Sequence, residues 1–386
     1  MKVHERFPLW VILTAAPLTV VAGSVIAPIL NLVREELGID PAAAGLIVTG
    51  HQLFIAIFSP LVGILVDKVG ARRPFVFGLI IYGLSGGSGL FINSYWILII
   101  SRALLGITAA VILVSTVVFI LNLYEGKERN KIMGWRSSGN SLSSVIWPLI
   151  GGFLGGFSWH LPFAVYLVGI PLGFIALNTI PEIRKEEHKD VNDVPNENNT
   201  LNIFRNNPIL FVIYGVLFVA NFLLATFTVF LPQLLGEIGI SNPFHISLFI
   251  MVGGLSIGLT SLLHGRIKSR LSYKMIVYVA LALWAIGFIT ISLVFSGLVI
   301  ASSVVVLGIG LGMVLPAALV WLSEVVPISF HGRFISYVGT FGFIGGFFPP
   351  IIFRPVVLLL NLNSVFMIAG GACAILFLLF LAIFRK

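Results

Sequence analysis

Two ionisable side chains, His51 and Arg102, lie deep inside long apolar stretches of this 386-residue sequence. At the helical rise of about 1.5 Å per residue, Arg102 stands about 9 Å along its stretch and His51, with Gln52, about 14 Å along an earlier one. A charge within an apolar run is costly in lipid and is normally kept where it meets a cavity or a partner. The alternative for Arg102 is snorkelling to the nearer interface. Histidine titrates near neutral pH, so His51 suits carrying or sensing a proton; equally, it suits a core histidine bonded to a hydroxyl or a carbonyl. Arg136 and Glu324 fall near the ends of their stretches and suit anchoring or gating. Asn31, Asn140, Asn221, Gln233, Trp321 and Tyr337 complete the polar and aromatic candidates. Each has a plainer reading, since a buried Asn can bridge helices and a Trp or Tyr near a span end belongs to the interfacial belt. No Asp or Glu occupies the middle of any apolar stretch. A site furnished with cationic and neutral groups alone disfavours lipophilic cations and suits neutral or anionic compounds.

The elements that must position these groups follow from composition. The chain is 58% apolar and 10% charged, with a mean hydropathy of +1.07. So few charges cannot coat a water-facing surface of this size, and lipid must be the solvent for most of it. Forty Gly and 19 Pro would be costly in soluble helices but are tolerated in transmembrane ones. Runs of about 20 apolar residues fall at roughly 9–33, 42–66, 75–93, 96–122, 136–158, 160–180, 208–234, 243–265, 274–294, 297–323, 336–359 and 362–384. The expected fold is therefore all-α and polytopic, with twelve transmembrane helices. The first run follows Lys2 and Arg6 like a signal peptide, but its length and the span after it predict a retained helix.

With the amino terminus inside, all but four of the 23 Lys and Arg fall in inner segments; the four are Arg34, Arg354, Arg102 and Arg136. The positive-inside rule then places both termini in the cytoplasm of a cell membrane. It also accounts for the net charge of +8, so no nucleic-acid partner is expected. The single cysteine, Cys373, excludes an intramolecular disulfide and a cysteine metal centre.

Residues 181–206 form the only long polar segment and read as a solvated linker between a six-helix bundle at 1–180 and another at 207–386. The halves match at an offset near 202 residues: Gly63 to Asp67 and Arg72 against Gly265 to Ser269 and Lys274, Gly106 against Gly308, and Pro148 against Pro350. Arg102 falls opposite Val304, and that asymmetry favours function over architecture. Parallel repeats of this kind describe a fold whose site lies between two pseudo-symmetric bundles. The rows Gly151-Gly152 to Gly155-Gly156 and Gly339 to Gly345-Gly346 read as close-packing faces. None is completed as a phosphate loop.

Gly63-x-x-x-Asp67-x-x-Gly70-x-Arg72-Arg73 resembles the loop 2–3 signature of the major facilitator superfamily. Arg102-x-x-x-Gly106 resembles the helix 4 motif of its 12-helix drug/proton antiporter branch, and Trp147-Pro148-x-x-Gly151-Gly152 the helix 5 motif, with Trp147 in place of the usual first glycine. The resemblance implies the major facilitator fold and proton-coupled efflux of a small organic solute by alternating access. It further implies a conformational latch at Gly63, Asp67, Gly70, Arg72 and Arg73, a tight turn in which backbones approach closely at both glycines. Uptake of a small anion or organic acid is the alternative within the same fold. A membrane enzyme or an ATP-driven pump is disfavoured, because no convergent catalytic set and no Walker segment is present. The expected partners are a small-molecule substrate, protons and the lipid bilayer, for a monomer without cofactor or metal.

Overall fold

The computed structural model describes residues 3–181, 197–294, 296–327 and 330–384. Most of the expected linker, 182–196, lies outside them. The described residues are helical throughout, in seventeen α-helices with short 3-10 turns. The chain divides into two units, one of residues 1–189 with 242–247, the other of 190–241 with 248–386.

In the first unit α1 (Val3–Ala15), α2 (Leu18–Ser24), the 3-10 turn Ala27–Ile29 and α3 (Leu30–Leu37) form one broken span. Pro17 and Pro28 interrupt it, because proline lacks the N–H that a continuing helix needs. Gly38 ends it at φ 60°, and Asp40 starts the next helix. The Asp40 Oδ1 accepts from the amides of Ala42 (3.0 Å) and Ala43 (2.9 Å), while Pro41 takes the first helical position, where its missing donor costs nothing. The helix so begun, α4 (Pro41–Val69), is followed by α5 (Arg72–Gly87), α6 (Tyr95–Leu123), α7 (Gly126–Gly155), the 3-10 segment Leu161–Val168 and α8 (Gly169–Thr179).

The second unit holds α9 (Glu197–Asn206), α10 (Ile209–Glu237), α11 (Pro243–Leu262, its first turn counted with the first unit), α12 (His264–Lys268), α13 (Tyr273–Leu293) and α14 (Gly297–Val325). It continues with α15 (His331–Phe347), α16 (Pro349–Leu359) and α17 (Leu362–Phe384). Asn242 repeats the cap of Asp40 at the same offset, accepting from the amide of Phe244 at 2.9 Å ahead of Pro243. Leu210, Ile213, Tyr214, Leu217, Ala318, Leu322, Val326 and Phe334 form a buried core.

Ten segments among the described residues are long and apolar enough to cross a membrane, against twelve expected. The other two are α5, whose regular part is only 16 residues, and α7, which spans 30 residues but carries Arg136, Ser137, Ser138, Asn140, Ser141, Ser143 and Ser144. α7 also begins ten residues before the apolar run at 136, since charged turns stay helical where lipid is no longer the solvent. Outward-facing Phe77, Phe153, Phe211, Leu259 and Leu298 are all more than half exposed, an arrangement suited to lipid and not to water.

Candidate functional site

Arg102 has no exposed surface at all. α6 carries it into a box built by α5 and the 3-10 segment. Its guanidinium donates to the Gly86 carbonyl at 3.2 Å and to Ser101 Oγ at 3.3 Å. Its Cζ lies 5.2 Å from the Phe163 ring centroid and 5.1 Å from that of Tyr166. Among the described residues it forms no ion pair. Two aromatic faces and a carbonyl therefore stand where a carboxylate would be expected, and desolvated cation–π contacts contribute about 2 kcal/mol each. The box is held in turn by the first span: Tyr82 donates to the Leu18 carbonyl at 2.6 Å and Tyr166 to the Ala22 carbonyl at 2.9 Å.

Gly86 is what admits the rings, since a Cβ there would strike the Tyr166 ring, and Gly83, Gly87 and Gly89 likewise make room for Ile170, Leu167 and Phe163. Tyr82, Ser101, Phe163 and Tyr166 were not singled out from sequence. The glycine run from Gly83 to Gly89, on the face where these rings had to land, was the available signal.

His51 is 3% exposed, and a Cβ on its neighbour Gly50 would stand 4.0 Å from the Arg102 Cβ. Its Cε1 would sit 3.1 Å from a Cβ at Gly23, and its carbonyl presses on Gly106. Gln52, one residue on, is half-buried. The structure thus brings His51 and Arg102 together at the α4–α6 crossing. Every acidic residue placed in a described helix lies within a turn of the helix end, as with Asp67, Glu128, Glu237 and Glu324.

On α7 the helix 5 motif is a packing surface. Pro148 is three residues, nearly one turn, from Gly151, on which the Val25 carbonyl sits directly; a Cβ at Gly152 would stand 2.6 Å from the Pro243 carbonyl, and Gly155 receives Ile29. The N-terminal part of α7 differs. Ser137, Ser138 and Ser141 are exposed, Arg136 and Asn140 half-buried beside them. Ser141 donates back to the Ser137 carbonyl at 3.1 Å, and the row gives this part of the helix a polar exposed face.

The turn between α4 and α5 separates its residues. Gly70 adopts φ 85°, which only glycine adopts without strain. Among the described residues a Cβ at Gly63 would meet nothing within 4 Å, so none of them makes the close backbone approach expected there, whereas the conformation of Gly70 requires its residue type. Asp67 and Arg73 are exposed. Arg72 donates to the Leu177 carbonyl in the last turn of α8, where the helix dipole favours a cation.

In the second unit the polar candidates face their own helices or their core. Asn221 donates to the Leu217 carbonyl and Gln233 to that of Val229, each at 2.9 Å. Tyr337 packs among Phe204, Tyr214 and Phe334. Trp321 stacks on Tyr273 at 5.3 Å, and Glu324 accepts the Tyr273 hydroxyl at 2.6 Å. Asn31, in the first unit, is 5% exposed at the start of α3. No group of residues able to hold a metal occurs among the described residues.

The sequence matches the Major Facilitator Superfamily over residues 12–350. It is 26% identical over 314 residues to multidrug resistance protein 2 of Bacillus subtilis, covering 76% of this chain and 77% of that one. It is 25% identical to the bacillibactin exporter of the same organism, covering 96% and 94%. The solved structure of a bacterial homologue of the human lysosomal transporter Spinster, inward-facing and unoccupied, superposes with a TM-score of 0.78 at 17% identity over 99% of this chain and 96% of that one. The long apolar helices agree with this match over most of the chain: the protein belongs to the major facilitator superfamily and is a multi-pass membrane transporter resembling its drug/proton antiporter branch.

Proposed function

We propose that this transporter exports a small organic solute in exchange for protons, by alternating access between the bundles 1–180 and 207–386 joined by the segment 181–206, with both termini cytoplasmic. The observation that carries the reading is the near end-to-end alignment with a protein named for export, beside alignment over about three quarters of the chain with one named for multidrug resistance. The α7 geometry supports it. Gly151 and Gly155 seal one end of that helix against the first span, while its other end presents hydroxyls and Arg136. In this reading His51, Gln52 and Arg102 serve proton coupling and the loop at Asp67 and Arg72 acts as the latch, with Arg136 and Glu324 at the gates. The protein works as a monomer without cofactor.

The test is flux in proteoliposomes. A proton gradient alone should drive uphill movement of a solute, and an uncoupler should collapse it. Uphill movement that ignores the proton gradient would defeat the antiport reading. A second reading, uptake of a small anion or organic acid, is favoured by the absence of acids from the described helix interiors while Arg102 and Arg136 remain; it is recognised by inward accumulation of an anionic solute.

A further inference from the structure

Arg136 and Asn140 lie four residues apart on α7, on the border between its packed side, where a Cβ at Gly139 would stand 3.5 Å from Pro17, and its exposed serine side. That spacing places their Cβ atoms about 5–6 Å apart on one face. The Nε and Nη2 atoms of Arg136 are both shut off from solvent, and neither has a hydrogen-bond partner among the described residues. Nor does Arg136 form an ion pair there. These two nitrogens form one edge of the guanidinium, the edge that matches a carboxylate with two parallel N–H···O bonds. Asn140 Oδ1 is likewise buried and unpartnered. One turn of helix therefore carries two adjacent unpartnered donors and, four residues on, one unpartnered acceptor. The positions 202 residues on are Val338 and Gly342, so the arrangement belongs to one unit only.

We infer that Arg136 and Asn140 recognise an anionic solute bearing a carboxylate beside a hydrogen-bond donor, an α-hydroxy acid being the simplest example. The carboxylate takes the Nε–Nη2 edge, and the neighbouring hydroxyl donates to Asn140 Oδ1. The proposal deepens the transport reading above and rests on it, since a sealed edge is reached by solute only when α7 moves against its neighbours. An unpaired guanidinium edge closed off from water is costly; an anion that pairs it stabilises the closed arrangement.

The experiment is thermal unfolding of the purified full chain in non-ionic detergent with mandelate, phenylacetate (no hydroxyl) or mandelamide (no charge). Mandelate should raise the unfolding midpoint most, phenylacetate less, and mandelamide not at all. Arg136→Lys keeps the charge but loses the fork, and should weaken mandelate about tenfold. Asn140→Ala should weaken mandelate about threefold and leave phenylacetate unchanged. Equal effects of mandelate and mandelamide, no effect of either anion, or unchanged mandelate affinity in Arg136→Lys would each overturn the site. If Arg136→Lys does not fold, loss of the mandelate-over-phenylacetate preference in Asn140→Ala decides alone. Proteoliposomes separate the two levels. Proton-driven flux without these shifts sinks the site and spares the export reading, whereas the shifts without proton-driven flux do the reverse.

Discussion

The crossing of α4 with α6 and that of α11 with α14 share a backbone design and differ in what fills it. Gly106 lies against the His51 carbonyl, and Gly308 lies with its missing Cβ 2.9 Å from that of Gly253. All four positions are related by the same offset of about 202 residues. In the first unit the space beside this contact holds Arg102, Tyr82 and Tyr166 around the open backbone of Gly86. In the second, the positions 202 residues on are Val304 and Trp284, both buried, and Ile368, which is exposed; Phe288 stands at the position of Gly86, packed on Phe366 at 6.0 Å. Phe288 and Phe366 are both fully buried. The repeat therefore keeps the glycine at which the helices touch, Gly106 and Gly308, while the charge of Arg102 has no counterpart at Val304. Departure from the repeat marks the groups that do more than pack.

The severest way to break this comparison is to charge the dry crossing. Val304→Arg would enter a fully buried position, and with Phe288 at the position of Gly86 the glycine that admits the rings around Arg102 is not repeated. An unpaired buried charge costs about 3–5 kcal/mol. The variant should fail to yield folded protein in detergent, and normal thermal stability would show that the two crossings are interchangeable.

Glycine substitution gives a sharper, smaller contrast. Gly106→Ala and Gly308→Ala should each lower stability by about 1–3 kcal/mol, the usual cost of overpacking. Gly63→Ala and Gly265→Ala, a pair at the same offset whose Cβ atoms meet nothing within 4 Å, should be neutral or gain about 0.5–1 kcal/mol from helix propensity. Equal losses at both pairs in thermal unfolding would mean that contact distance does not govern these sites.

The tyrosines come next. Tyr82→Phe and Tyr166→Phe each remove a buried hydroxyl bonded to the first span, and each should cost about 1 kcal/mol in an unfolding midpoint. A larger loss of proton-driven flux than of stability would tie the box to transport as well as to packing.

The smallest effect is expected at His160, beside the 3-10 segment. It bonds Asn93 at 2.9 Å. Desolvation holds its pKa below the ordinary 6.5, against the pull of Glu36 and a backbone contact with Ile92. Below pH 6.5 the unfolded chain then binds more protons than the folded one, so stability falls as pH drops. The matching position in the second unit is Leu362. His160→Leu should flatten the decline of the unfolding midpoint between pH 7.5 and 5, and an unchanged slope would remove His160 as its source.

Much of this fold was legible in the residues. Apolar run length placed the spans to within a few residues for α4, α10, α13, α14 and α17, because lipid demands a fixed length of apolar helix. It failed for the ends of α5 and α7, where a short helix and a polar face leave no hydropathy signal. At the site, His51 and Arg102 were legible because charge is scarce in lipid. The Phe163–Tyr166 box was not, because aromatic residues are common in this chain and only glycine run geometry selects these two. Gly63, chosen for its motif, turns out to face open space, since a motif records a spacing and not the neighbour that fills it.

Composition and order along the chain determined that this protein lives in lipid, that its halves repeat, and that its helix interiors carry almost no ionisable group. These are properties of single residues and local runs, and solvation energy reads them directly. Tertiary structure decided that Arg102 is enclosed by rings of the 3-10 segment Leu161–Val168, that Gly151 receives the Val25 carbonyl, and that one edge of Arg136 is left unpaired among the described residues. Each depends on which residues, tens of positions apart, share a few ångströms, and close packing alone settles that.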